Sequence, residues 1–356
     1  MLNSLSLQQD EAPVFIFLWE VPVLEKKLKE RYSDQILYHA MMAFGIRADQ
    51  IQILDGFESF IYEFDRDNKS YILRIGHSLR RSENLIKGEV DWINYLHQGE
   101  ASVSRAVLSE RGELVEQFDD EQGAYFLATA FEKACGRPPR KDDLGTGFYE
   151  NYGRLLGKMH ALTKTYLPAE PAWKRMEWDG PELSEIQALS QESESVIIDI
   201  YTDLKRNLDV LPKSRESYGL IHQDAHLSNL FVDEAGEITL FDFDDCCYSW
   251  FINDIAIVLF YSALGKKDPV AFTKEFMTNF LRGYRLENQL DEVWLKEIPL
   301  FLKLREIDLY AVIHRSFDVE NIDHPWVAMY MQDRKQRIEG GVPFLNFDFS
   351  SLARLG

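Results

Sequence analysis

The stretch Leu220-Ile-His-Gln-Asp-Ala-His-Leu-Ser-Asn-Leu-Phe-Val-Asp-Glu-Ala-Gly-Glu-Ile-Thr-Leu-Phe-Asp-Phe-Asp244 decides the reading of this chain. It sets an H-x-D-x-x-x-x-N segment, His222 to Asn229, ahead of a D-x-D segment, Asp242 to Asp244. Between them Leu230-Phe-Val232 and Ile238-Thr-Leu240 read as short strands, and Asp233-Glu-Ala-Gly236 supplies the turn. A hairpin of this kind carries Asp242 back toward Asn229. Phosphoryl transfer needs such a layout, because it depends on positioning and charge neutralisation more than on covalent chemistry. Asp224 would accept a hydrogen bond from an attacking hydroxyl and align it with a γ-phosphorus. The Asn229 amide oxygen would ligate magnesium without adding charge beside the phosphates. Asp242 would bridge the ion to the phosphates, with Asp244 helping on the same or a second ion.

Taken singly these residues are weak signals. Asp and Asn are common in turns, and a lone histidine is more often a hydrogen-bonded core residue than a catalyst. The signal lies in Asp224, Asn229 and Asp242 together, with a strand-turn-strand between them. His222 is expected to brace the loop through backbone contacts, and His226 to support the loop or touch a phosphate.

Upstream, Ile51–Leu54, Phe60–Phe64 and Tyr71–Ile75 read as strands, with Asp65-Arg-Asp-Asn-Lys69 as a hairpin turn. A helix over Glu83–Leu96 and strands near Glu113–Phe118 and Tyr125–Thr129 follow. That order is the layout of a small nucleotide-binding lobe. Ahead of it, Leu24, Leu28, Tyr32, Ile36, Leu37 and Met41 recur at helical spacing, which predicts an amphipathic helix over Val23–Phe44. Residues 1 to about 12 show no clear period. Phe131-Glu-Lys-Ala-Cys-Gly136 is the expected hinge. Beyond it the pattern turns helical over Phe148–Leu162, Gln187–Leu208, Ala271–Tyr284 and Trp294–Phe317, the last with Pro299 as a kink or restart. Gly340, Gly341 and Pro343 open an irregular tail. The expected organisation is a tail and helix over 1–50, a β-rich lobe over 51–130, a helical lobe over 131–345 and a tail over 346–356.

With 356 residues, 46% of them hydrophobic, the chain can build two lobes with real cores. Its 39 basic and 59 acidic residues give a formal charge of -20, which argues against nucleic acid as a partner. Cys246 and Cys247 are adjacent, and with Cys135 they form neither a disulfide framework nor a C-x-x-C motif, so a cytoplasmic location is expected. The apolar stretch Val14–Trp19 falls far short of the ~20 residues of a membrane span. No basic residue precedes it, so neither membrane insertion nor a signal peptide is expected.

At His222-Gln-Asp-Ala-His-Leu-Ser-Asn229 and Asp242-Phe-Asp244 the chain resembles the aminoglycoside phosphotransferase and choline kinase-like superfamily, whose signature is similar to H-G-D-x-H-x-x-N followed by D-x-D. Asp254-Ile-Ala256 resembles the aspartate-led helix after that family's metal motif. Tyr152-Gly-Arg-Leu-Leu-Gly-Lys-Met-His160 resembles the helix before its substrate region. The resemblance covers roughly Ile51 to Phe317, and the bacterial stress-response kinase and homoserine kinase-like branches look nearer than the antibiotic-resistance enzymes. It implies an α+β, two-lobed protein-kinase-like fold with a small β-rich N-lobe and a larger, mainly helical C-lobe. It also implies ATP and Mg2+ as cofactors, and transfer of the γ-phosphoryl group to a hydroxyl of a small metabolite or, alternatively, to Ser or Thr of a protein.

In that setting Arg74, on its strand, stands where the family often has lysine and would reach the α- and β-phosphates. Glu89 is the chosen ion-pair partner for Arg74, with Glu83 and Asp91 as competitors; Asp91 points roughly opposite on the helix. Asp55-Gly-Phe-Glu-Ser59 would cover the phosphates, Gly56 allowing the turn and Ser59 donating. Backbone groups from Ala130 through Phe131 and Glu132 would bind adenine. Gln223 replaces the family's usual glycine, so the loop backbone there must suit a side chain.

The acceptor region is less legible. Tyr248, Trp250, Trp173 and Trp178 are candidate pocket walls. Arg305 or His314 would bind a carboxylate and Glu306 or Asp308 an amine, although an ion-pair network on a helix surface reads as well. Two other classes compete. A metal-dependent hydrolase would use His222, Asp224, His226, Asp242 and Asp244 as ligands but leave Arg74 and Glu89 idle. A nucleotide-binding module with weak or no catalysis is left open by Arg74 and opposed by Asp224. The sequence carries no sign of oligomeric state.

Overall fold

The computed structural model describes residues 26–54, 56, 58–181, 183–189 and 192–355. Strands β1 (Ile51–Leu54), β2 (Phe60–Arg66) and β3 (Lys69–His77) form an antiparallel meander. Asp67 and Asn68 join β2 to β3 with φ of 52° and 61°, the left-handed pair that a two-residue hairpin turn requires. Helix α3 (Glu83–Gln98) follows, its first turn capped by the Ser82 hydroxyl, then β4 (Ala106–Val107), β5 (Glu116–Asp119) and β6 (Tyr125–Glu132). The sheet runs β1-β2-β3-β6-β4, with β5 also on β6.

Side chains alternate across this sheet. Tyr71, Leu73 and Ile75 of β3 face one way, into a core with Ile36, Ala40, Met41 and Phe44. Arg74 faces the other way, toward α3. The amphipathic segment ahead of the sheet is two helices, α1 (Lys26–Arg31) and α2 (Asp34–Ala43), because Ser33 is extended and caps the second. Val23 to Glu25 and the apolar stretch Val14–Trp19 lie outside the described residues.

The C-terminal lobe is mainly helical, and the fold is α+β and kinase-like. Helix α4 (Thr146–Thr163) is followed by three short 3-10 turns before α5 (Ser195–Asp209), the last two where one helix from Gln187 was expected. Short strands β7 (Tyr218–Ile221), β8 (Leu230–Val232), β9 (Ile238–Leu240) and β10 (Cys247–Trp250) precede α6 (Phe251–Ala263), which is buried along its whole length. Helix α7 (Pro269–Glu287) packs on α4. A Cβ at Gly153 would sit 1.9 Å from the Phe280 carbonyl oxygen, and one at Gly283 1.8 Å from that of Glu150, so the two backbones touch. Pro299 sits in the first turn of α8 (Ile298–Ser316), where its missing N–H costs nothing, and restarts the chain after a 3-10 turn. Two short helices, α9 (Pro325–Met331) and α10 (Arg334–Glu339), follow. The tail is not loose: residues 349–355 form a 3-10 segment that buries Phe349 and Leu352. No helix among the described residues is long and apolar enough to cross a membrane.

Candidate active site

The hairpin behaves as its composition predicts. Leu230 pairs with Leu240, and the Phe241 N–H donates to the Asn229 carbonyl at 2.9 Å, so the ladder continues one step and sets Asp242 beside Asn229. At Asp242 φ is 64°, a turn that swings its carboxylate out of the ladder. That carboxylate is open to solvent in the cleft but walled by protein on its other sides. Burial pushes it up to about 7 against the pull of Arg74, and the charges of Asp244 and Asp224 add to the rise.

The loop before the hairpin hangs from Asp254 on the buried helix α6. Its Oδ2 accepts from the His222 N–H at 2.9 Å and its Oδ1 from the Gln223 N–H at 2.8 Å. His160 of α4 lies 3.2 Å from the same Oδ2. His222 braces the loop in turn: Nε2 lies 3.1 Å from the Phe241 carbonyl, and Nδ1 accepts the Asp224 N–H. His226 Nδ1 accepts the Ser228 N–H, and its Nε2 lies 3.2 Å from Asp224 Oδ2. Both imidazoles are thus engaged around the loop, which leaves a metal-dependent hydrolase without two of its five expected ligands.

Asp224 joins two sides of the site. The Asn229 amide donates to its carbonyl at 2.9 Å and to its Oδ2 at 3.1 Å, leaving the Asn229 amide oxygen as the free end. On the other side Arg305 Nη2 donates to Asp224 Oδ1 and, at 2.6 Å, to the Tyr261 hydroxyl. Burial disfavours the Asp224 carboxylate, but His226 and Arg305 outweigh it and hold the group well below the usual range. Tyr261 has no signal in the sequence; it is one more tyrosine in an apolar helix.

Across the cleft Arg74 and Glu89 form a buried two-pronged pair, Nη1 to Oε1 at 2.8 Å and Nη2 to Oε2 at 2.6 Å. The Arg74 guanidinium lies over the Phe131 ring and 3.8 Å from Asp244. Asp91 faces away and accepts from the Tyr166 hydroxyl. Arg175 ties these pieces together: its Nη1 donates to the Leu85 carbonyl of α3, and its other nitrogens to the Asp244 and Cys246 carbonyls. Gly56 has no room for a side chain, since a Cβ there would sit 2.1 Å from the Ser59 carbonyl; Asp55 and Phe57 lie outside the described residues.

Three expectations need correction. β6 runs on through Glu132, whose N–H donates to the Arg105 carbonyl, so the Phe131–Glu132 backbone is engaged in the sheet and adenine-facing groups would belong to the chain after it. Glu306, next to Arg305 on α8, turns away from it and is fully buried between Lys303 and Arg334. Tyr248 packs under Lys174, and its backbone N–H goes to Met176, away from the Arg305–Tyr261 corner. Trp178 and Trp250 pack against each other in the core, their rings tilted by 57°.

The site's donors suit a hard cation: an amide oxygen at Asn229, an unengaged carboxylate at Asp242 and a second carboxylate at Asp244, all oxygen. A cleft between a β-sheet lobe and a helical lobe, with these groups on one wall and an Arg–Glu pair on the other, defines a kinase-like phosphotransferase. The family model described as "Phosphotransferase enzyme family" matches residues 49–293, and the chain belongs to that family. An amicoumacin kinase from Bacillus subtilis (strain 168) is 40% identical over 325 residues, covering 90% of this chain and 96% of the relative. The solved structure of amicoumacin kinase hAmiN in complex with AMP-PNP, Ca2+ and Ami is similar with a TM-score of 0.87 and 38% identity, covering 92% of this chain and 99% of that one. A microcompartment-associated aminopropanol kinase, at 20% identity and a TM-score of 0.69 over 87% of this chain and 98% of that one, shares the fold. The amicoumacin kinases are a branch that the motif reading did not single out within the superfamily.

Proposed function

We propose that this enzyme transfers the γ-phosphoryl group of ATP, with Mg2+, to a hydroxyl of amicoumacin or a closely related small molecule. The observation that carries the reading is the place of Asp224. One carboxylate touches Asn229 on the metal side and Arg305 on the open side of the cleft, so a hydroxyl held there meets both a charge to orient it and the phosphate to attack. Asn229, Asp242 and Asp244 would hold the ion, which screens phosphate charge when bound. Arg74, fixed by Glu89, would contact the inner phosphates, and its two-pronged anchoring supports that role for an arginine in place of lysine. Arg305 would hold Asp224 ionised and face the acceptor. The extent of identity to the amicoumacin kinases favours a small acceptor over Ser or Thr of a protein. ATP supply and three free thiols accord with action in the cytoplasm.

The test is ATP consumption with amicoumacin, a panel of small alcohols and Ser/Thr peptides. Turnover with amicoumacin is expected, and Asp224→Asn should cut it by about 10²–10⁴ while Mg-ATP affinity stays within a few-fold. Turnover on peptides alone, or near wild-type rates in Asp224→Asn, would overturn the reading.

A further inference from the structure

Arg80 follows β3, between His77 and α3, and no motif marks it. Its guanidinium pairs with Glu58 of the β1–β2 loop through Nη2 and with Asp244 Oδ2 through Nη1, and comes within 3.7 Å of Asp245. Glu58, Asp244 and Asp245 present carboxylate oxygens within 4.8 Å of one another. Glu58 also takes Arg315 of α8 at 2.8 Å, and Arg315 takes Glu185 at 2.6 Å. A line of charged groups therefore crosses the cleft from the metal motif to the acceptor side.

We propose that Arg80 is a positioning residue that stands in for the metal in the nucleotide-free enzyme, holding Asp244 and tying Glu58 across the cleft until metal and nucleotide evict it. The proposal rests on the kinase reading of Asp244. Three clustered carboxylates repel one another and need a cation among them. The neighbouring arginines have fixed duties: Arg74 is clamped to Glu89, Arg175 donates to three backbone carbonyls, and Arg81 Nη2 holds Asp245 at 2.7 Å. Arg80 pairs directly with Glu58 of the sheet lobe and Asp244 of the helical lobe, whereas Arg74 and Arg81 reach Asp244 only at 3.8 and 3.5 Å, and its side chain is one-fifth exposed, so it can leave without opening the core. A guanidinium and a divalent ion on the same Asp244 Oδ2 repel each other. When the ion takes that oxygen, Arg80 must let go, and the Glu58 tie between the lobes loses its inner anchor.

The experiment titrates Mn2+ into the full-length, nucleotide-free protein and follows the free-ion signal by electron paramagnetic resonance. Removing the competing cation should tighten binding: Arg80→Gln is expected to raise Mn2+ affinity at least tenfold over wild type. Arg80→Lys, a point charge that cannot fork between Glu58 and Asp244, should raise it by less. Adding Glu58→Gln to Arg80→Gln should take back part of the gain. Mn2+ affinity unchanged from wild type in both Arg80→Gln and Arg80→Lys would overturn the proposal. Failure of the kinase reading would look different: Mn2+ with AMP-PNP would then bind no better than Mn2+ alone in every variant, wild type included.

Discussion

Gln223 holds φ at 70°, in the left-handed region where its family has glycine. A non-glycine residue costs roughly 1–2 kcal/mol there, and the side chain works against that cost. Its Oε1 accepts from the Asn253 amide at 3.1 Å and lies 3.6 Å from the Cys247 thiol. Gln223→Gly should relieve the backbone but leave a buried amide short of an acceptor, a loss of about 1–3 kcal/mol. The expected net is a destabilisation on the order of 1 kcal/mol, read from urea unfolding; a gain in stability would mean that the side chain does not offset the strain. At this scale the sequence was most legible where chemistry constrains residue type. Asp224, Asn229 and Asp242 come together in the structure, as expected of groups that would serve a metal ion and a hydroxyl at that spacing. Glu89 could be chosen over Asp91 because helix geometry puts them on opposite faces. Arg80, Arg175 and Tyr261 were not legible, since their duties depend on segments 22 to 164 residues away.

Asp254 shows what an element contributes. Helix α6 is buried throughout and so cannot move freely, and its one carboxylate fixes the backbone of the loop that carries Asp224. The histidines around it, His160 and His222, are fully buried, and burial holds both below the ordinary imidazole value. Above about pH 6.5 neither the folded nor the unfolded chain protonates them. As pH falls through that value the unfolded chain takes up protons that the folded one refuses, so stability drops. Each such histidine contributes up to about 1.4 kcal/mol per pH unit. Unfolding free energies between pH 7.5 and 5.5 should show this decline, and His160→Gln should make it shallower; identical slopes in the two proteins would rule out a neutral buried His160. Element boundaries were less legible than this site. The periodicity from Leu24 to Met41 reads as one helix, but the extended backbone at Ser33 breaks it. Phe349 and Leu352 look like tail because α7 and the turn before α8, against which their segment packs, are distant in sequence.

Behind the cleft α3 packs into the apolar core of the helical lobe, but across the cleft itself the lobes meet through charged groups: Arg74 and Arg80 to Asp244, Arg81 to Asp245 and Arg315 to Glu58. Such pairs hold weakly when water can reach them, so a ligand that bridges both lobes should add to the stability of the whole molecule. For a ligand binding only the folded state the gain is about 2.7 kcal/mol at a hundredfold excess over Kd. AMP-PNP with Mg2+ should therefore raise the midpoint of thermal unfolding, and AMP-PNP with a chelator should raise it less. The difference between the two measures the metal's share and locates the metal. If Asp242 holds the ion, Asp242→Asn should erase most of that difference, whereas Asp224→Asn, which acts on the acceptor, should keep it. A metal-dependent shift preserved in Asp242→Asn but lost in Glu58→Gln would instead put the ion among Glu58, Asp244 and Asp245, and the hairpin that returns Asp242 to Asn229 would then serve the fold rather than the nucleotide.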